Sequence, residues 1–209
     1  MTEPSSETPR SPSLMGRLVG PLIIIVVVIG IAFLGRIPLL PGPQSGLGGP
    51  FTLVNEAGET VTDQTFAGRF LLVYFGYTSC PDVCPTSLAL IGRALDMAPP
   101  EARARVTPLF ISVDPERDTP ERAASYARAF HPALIGLTGT PEQIAAVAHG
   151  YRATYARVDH GENRPYTIDH SAYIYLMGPD GRFLAHFEPN TPPERIADAL
   201  RAVMGLPKS

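Results

Sequence analysis

Six consecutive apolar or aromatic residues, Phe70-Leu71-Leu72-Val73-Tyr74-Phe75, lie between Gly68 and Gly76. A strand with one wet face alternates polar and apolar residues. This one does not, so both of its faces must be covered. Such a strand needs layers on both sides of its sheet, which points to flanking helices. Val106–Val113 (VTPLFISV) repeats the pattern as a second buried strand. Between the two, Pro85–Met97 reads as a helix, with Leu88, Ile91 and Leu95 at helical spacing.

The rest of the chain extends this pattern. Phe51–Val54 reads as a short strand and residues 55–59 as a turn. Helices near 120–130 and 141–151 enclose a strand at Leu134–Leu137. Strands at Ala172–Met177 and Arg182–Phe187 flank Gly178-Pro179-Asp180-Gly181, a hairpin signal. A last helix is expected over about Pro193–Met204. Thr119-Pro120, Thr140-Pro141 and Thr191-Pro192 each put a capping hydroxyl before a proline at the first helical position. Thr140 with Gln143, and Thr191 with Glu194, also fit the capping box. This order predicts an α/β fold: a thioredoxin-like mixed sheet flanked by helices.

The N-terminal quarter is of another kind. Residues 1–17 are polar and rich in Ser, Thr and Pro, which predicts a disordered tail. Leu18–Gly35 then carries no charge and is bracketed by Arg17 and Arg36. As a helix it would span about 27 Å, close to a bilayer core of ~30 Å. It exceeds the apolar stretch of a signal peptide, and Leu34-Gly35-Arg36 is a poor cleavage site. An uncleaved transmembrane anchor is expected. Arg10 and Arg17 precede it and only Arg36 follows before Arg69, which favours a cytoplasmic N-terminus. Residues 36–50 form a Pro/Gly linker, and residues 51–206 the folded domain. The net charge of −3 and the lack of a basic block argue against nucleic-acid binding.

Only two cysteines are present, too few for a disulfide scaffold or a four-cysteine zinc site. They form Cys80-Pro81-Asp82-Val83-Cys84-Pro85, between the buried strand and the first long helix. A tight turn there brings the sulfurs within reach of one disulfide or one metal ion. Pro85 suits the first helical position, with Cys84 as the cap, where unpaired N–H groups stabilise a thiolate. The spacing is one residue wider than the Cys-x-x-Cys of dithiol oxidoreductases, leaving room for a metal. His131, His149, His160 and His186 read as loop, helix-end, solvated and strand-packing residues. His170, in Asp169-His170-Ser171, stands between a long loop (about 154–167) and a buried strand. That place admits a third ligand without requiring one. Two cysteines and a histidine would suit copper better than structural zinc, which wants a fourth protein ligand.

The motifs Gly76–Pro85, Phe110–Thr119, Ile135–Thr140 and Asp169-His170-Ser171, in this order, resemble the SCO/SenC family over about residues 51–205. These are membrane-anchored, thioredoxin-fold proteins of cytochrome c oxidase assembly. The resemblance implies that Cys80 and Cys84 are a copper-binding and redox-active pair and that His170 is the third copper ligand. It implies copper as Cu(I) or Cu(II). The implied partners are the copper-bearing oxidase subunit, whose dinuclear copper A centre is to be built, and another periplasmic copper chaperone. Asp114 and Asp118 match the family's acidic loop. They are expected to make turns and caps or to support the ligands, and Asp169 to orient His170. The implied protein is a metallochaperone in a bacterial inner membrane, single-pass, with its C-terminal domain in the periplasm. The alternative is a thiol–disulfide reductase that keeps the oxidase copper-site cysteines reduced.

Overall fold

The computed structural model describes residues 46–207. The expected tail, the anchor at 18–35 and most of the linker lie outside the described residues. Among the described residues no helix is long and apolar enough to cross a membrane.

Among the described residues nine strands and five α-helices follow one another. They are β1 (Thr52–Val54), β2 (Thr60–Thr62), β3 (Phe70–Gly76), α1 (Val83–Met97), α2 (Pro100–Arg103), β4 (Val106–Ser112) and α3 (Pro120–Phe130). Then come β5 (Ile135–Leu137), α4 (Pro141–Tyr151), β6 (Tyr155–Val158), β7 (Thr167–His170), β8 (Ile174–Met177), β9 (Phe183–Phe187) and α5 (Pro193–Val203). The main sheet runs β5-β4-β3-β8-β9. β3 pairs parallel to β4 and antiparallel to β8. This is the mixed, helix-flanked sheet of a thioredoxin-like fold.

The two apolar runs occupy the centre, where every residue of β3 and of β4 is buried. Alternation sorts their side chains to the two faces. On one face Phe75 meets Tyr151 of α4 and Tyr175 of β8 edge-on, at 5.3 and 6.0 Å between ring centroids. On the other, Tyr74 and Gly76 face Cys84 of α1. Phe110 of β4 packs against Tyr126 of α3, 5.4 Å between centroids. α1 also packs on α5. Thus the cysteine-bearing helix is fixed by a core face, and its N-terminus stands at the C-terminal end of β3.

Two of the three threonine caps form as expected. The Thr119 hydroxyl accepts from the Arg122 N–H at 3.3 Å. Thr140 and Gln143 make the full capping box, at 2.8 and 3.3 Å. Thr191 does not cap. Its hydroxyl donates back to the Glu188 carbonyl at 2.7 Å, and the helix starts one residue later, with Pro192 at the N-cap. The double proline explains the shift, because Pro193 takes the first helical position. The first long helix begins at Val83 rather than Pro85. The loop expected over 154–167 contains β6 and part of β7, a two-stranded antiparallel ribbon separate from the main sheet. Its strands are four residues long and half exposed, with too little apolar periodicity to stand out from a loop.

Gly136 marks the tightest contact between β5 and α3. A Cβ there would run into the backbone carbonyl of Ala123. Backbone cannot rotate away as a side chain can. Gly136→Ala should therefore lower stability by about 3 kcal/mol, the upper range for an overpacked core. Urea unfolding measures this; the midpoint should fall without a change in slope.

Candidate metal centre

Three side chains converge where β3 ends. One donor atom each from Cys80, Cys84 and His170 lies within 4.8 Å of the others. Both cysteines are free thiols; Cys84 is buried and Cys80 partly exposed. Cys84 is the second residue of α1, not its cap. Its backbone N–H, one of the orphan donors of a helix start, points at the Cys80 sulfur at 3.4 Å. The sulfur thus takes the place that a capping oxygen would fill; the Asp82 side chain makes no cap hydrogen bond. The Cys84 sulfur sits against Gly76, where a Cβ would come within 2.8 Å of it. Glycine at the end of β3 leaves the space that the sulfur occupies.

His170 is the last residue of β7 and pairs across the ribbon with Tyr155. Its Nδ1 lies 3.2 Å from the Ser171 carbonyl. A carbonyl only accepts, so Nδ1 carries a hydrogen, and in the neutral ring the lone pair is on Nε2. That Nε2 stands 3.3 Å from the Cys84 sulfur. The imidazole is also packed edge-on by Tyr77 at 5.9 Å and by Tyr74 at 6.2 Å. Two aromatic walls and one hydrogen bond fix the ring, with its basic nitrogen toward the sulfurs.

The two thiols are electrostatically unlike. Cys80 is held well below the ordinary thiol range, first by the Cys84 thiol hydrogen and then, against the effect of burial, by the His170 imidazole and the backbone N–H groups of Asp82 and Cys84. Cys84 is pushed up, because it donates to Cys80 and is buried. The pair therefore gives up its first proton at Cys80, and Cys84 holds the second.

The acidic loop after β4 braces the cysteine loop. Asp118 is fully buried. It accepts from the Thr78 N–H at 2.8 Å, the Thr78 hydroxyl at 2.5 Å and the Ser112 hydroxyl at 2.6 Å. Arg122 adds a bond from Nε to the Thr78 hydroxyl at 2.8 Å. Asp114, also buried, accepts from Arg117 Nε at 2.5 Å and from the Tyr166 hydroxyl at 2.7 Å. Neither carboxylate belongs to the group of three donors; both hold loops that carry them.

Asp169 does not orient His170, contrary to the expectation. It is exposed, and in a strand it points to the face opposite His170. The Ser171 carbonyl, not Asp169, receives the imidazole hydrogen. The other histidines lie elsewhere. His131 accepts from the Ala133 N–H, His149 is exposed on α4, His160 meets Thr167, and His186 stacks on Phe183. Sequence reasoning missed Tyr74, Tyr77 and Gly76 as parts of the site. Gly76 was the one with a signal, a glycine closing an otherwise bulky strand.

Residues 41–205 match the family model described as SCO1/SenC. Protein SenC of Rhodobacter capsulatus is 41% identical over 191 residues, 84% of each chain. The mitochondrial Protein SCO1 homolog of Homo sapiens is 45% identical over 159 residues, 76% of this chain and 53% of that one. The chain spans about half the length of the mitochondrial relatives from human, mouse and Arabidopsis thaliana. A solved structure of Bradyrhizobium japonicum ScoI with copper bound has a TM-score of 0.68 and 45% identity, covering 75% of this chain and 99% of that one.

The unequal thiols set an expected pH profile. A lowered pKa means that the Cys80 thiolate is already present at neutral pH. Its alkylation by iodoacetamide should stay nearly flat from pH 6 to 9, where a free thiol of pKa ~8.5 gains about tenfold per unit up to its pKa. Mass mapping should find Cys80 modified before Cys84. Cys84→Ala removes the main cause of the shift and should move the Cys80 profile to higher pH. A profile unmoved by that substitution would contradict the assignment.

Proposed function

The chain belongs to the SCO1/SenC family, and on that premise we propose that it is a membrane-anchored copper carrier for cytochrome c oxidase assembly. The observation that carries the reading is the grouping of two free thiols and one imidazole within 4.8 Å. Thiolates select Cu(I), and an imidazole accepts copper in either oxidation state. Structural zinc wants a fourth protein ligand, and among the described residues no further His, Cys, Asp or Glu joins the group. The copper held by the Bradyrhizobium relative supports the same choice.

In this reading Cys80, Cys84 and His170 hold copper as cargo. Cys80, partly exposed and already deprotonated, meets the ion first. Cys84 gives up its proton on binding, and His170 contributes Nε2 without losing one. Three donors leave a position open to a ligand of the receiving protein, so copper can pass by stepwise exchange. The receiver is the copper-bearing oxidase subunit, at its dinuclear copper A centre; the donor is another periplasmic copper chaperone. Residues 1–17 form a cytoplasmic tail, 18–35 the anchor and 36–50 the linker. Residues 51–206 stand in the periplasm beside a bacterial inner membrane. The charge-free stretch between Arg17 and Arg36 supports that placement.

A second reading draws on the unequal thiols. The Cys80 thiolate could attack a disulfide in the oxidase copper domain, releasing one partner thiolate. Cys84 would then lose its proton and attack Cys80, releasing the second partner sulfur and leaving a Cys80–Cys84 disulfide. Two electrons pass to the partner. This is the work of a thiol–disulfide reductase, and it needs no histidine.

His170 separates the readings. The reduced full-length protein should bind one equivalent of Cu(I). His170→Ala should weaken that binding beyond the ~10–100-fold typical of losing an outer partner. Competition with a chromophoric Cu(I) chelator measures it. Unchanged affinity would sink the three-donor carrier. A His170→Ala variant that still reduces the oxidised copper domain at the wild-type rate would establish the reductase.

A further inference from the structure

The imidazole is delivered by the β6–β7 ribbon, and that ribbon pairs with no strand of the main sheet among the described residues. Its strands bond to each other, so backbone pairing alone does not set where His170 stands. Ile168 is the ribbon residue buried in the core. The position of the imidazole therefore depends on side chains that fasten the ribbon to the domain.

Tyr166, just before β7, carries the densest set of such contacts. The Arg117 guanidinium of the acidic loop lies 3.6 Å from its ring centroid, and that of Arg157, on β6 of the ribbon itself, lies 3.7 Å from it. Two cations this close cannot share one face of a ring, so the ring is held between them. The Tyr166 hydroxyl donates to Asp114 at 2.7 Å. Arg117 donates to the same carboxylate through Nε and to the Tyr166 carbonyl through Nη1 at 2.9 Å. Ring, hydroxyl and backbone of one residue are thus all fixed to the acidic loop. That loop is itself bound through Asp118 to Thr78 in the cysteine loop. Arg117 also lies 5.6 Å from the Tyr77 ring, the wall that meets His170 edge-on. One guanidinium touches both the ribbon that carries the imidazole and the ring that walls it.

We propose that Arg117 and Tyr166 are positioning residues that latch the β6–β7 ribbon, so that His170 Nε2 faces the two sulfurs. They donate nothing to copper and act only through the imidazole. The inference rests on the carrier reading for its copper consequence, and it has a metal-free consequence of its own.

The test uses the full-length protein in detergent, with Cu(I) as the probe. Tyr166→Ala and Arg117→Ala should each weaken Cu(I) binding about 10–100-fold, as loss of an outer partner does. Tyr166→Phe keeps the ring between the guanidiniums and should stay within about threefold of wild type. In a His170→Ala background, Tyr166→Ala should cost less than about twofold more, because both losses pass through one group. A full, additive loss there would overturn the inference. The metal-free arm is hydrogen exchange of the reduced apoprotein. Amides of β7 should exchange at least about tenfold faster in Tyr166→Ala and Arg117→Ala, with β3 and β4 unchanged. Unchanged β7 exchange, or acceleration throughout β3 and β4, would overturn the latch. Should the wild type bind no Cu(I), the carrier reading fails and exchange alone decides the latch.

Discussion

The parallel pairing of β3 with β4 is the constraint from which the candidate site follows. Its register sets Gly76 opposite Ser112, and the Val113 N–H continues the pairing to the Gly76 carbonyl at 2.8 Å. Two loops therefore leave the sheet side by side, one with the cysteines and one with Asp114 and Asp118. The open end of such a sheet is where α/β proteins place their chemistry, because the loops there are positioned by buried strands. Asp118 joins the two loops by accepting from Thr78 and Ser112 together. A buried carboxylate with three donors costs little to keep and much to disturb, since each donor would be left unpaired without it.

Around this base the site assembles from pieces of different rigidity. Cys84 belongs to a helix fixed by the core face of β3. Cys80 sits one turn earlier in the loop, held by an N–H of the same helix. His170 comes from a ribbon outside the sheet. The arrangement gives a firm pair of sulfurs and a third donor on a separate mount. The thiols differ as well: a partly exposed one that is charged early and a buried one that keeps its proton.

What could be read in advance was what is local. Phe70–Phe75 and Val106–Val113 are buried on both faces, and their unbroken apolar runs show it. The cysteine turn is a contiguous motif, and Thr119 and Thr140 cap helices through neighbours three residues on. The β6–β7 ribbon was illegible because Tyr155–Val158 and Thr167–His170 are short and half wet, and they form strands only by pairing with each other. The link from Asp169 to His170 failed for a similar reason. Adjacent residues look like partners in a loop, but in a strand they face apart. The tyrosine walls at Tyr74 and Tyr77 depend on how distant elements pack, which no spacing records.

The separation of the donors along the chain has a consequence for quality control. Cys84 and His170 are 86 residues apart. The two sulfurs are brought together by one local turn, whereas the imidazole is in place only when the ribbon has closed and is fastened to the acidic loop. A nascent or damaged molecule can offer two donors but not three. If copper is the cargo, tight loading doubles as an inspection of the finished fold, and a molecule that fails it lets the ion go.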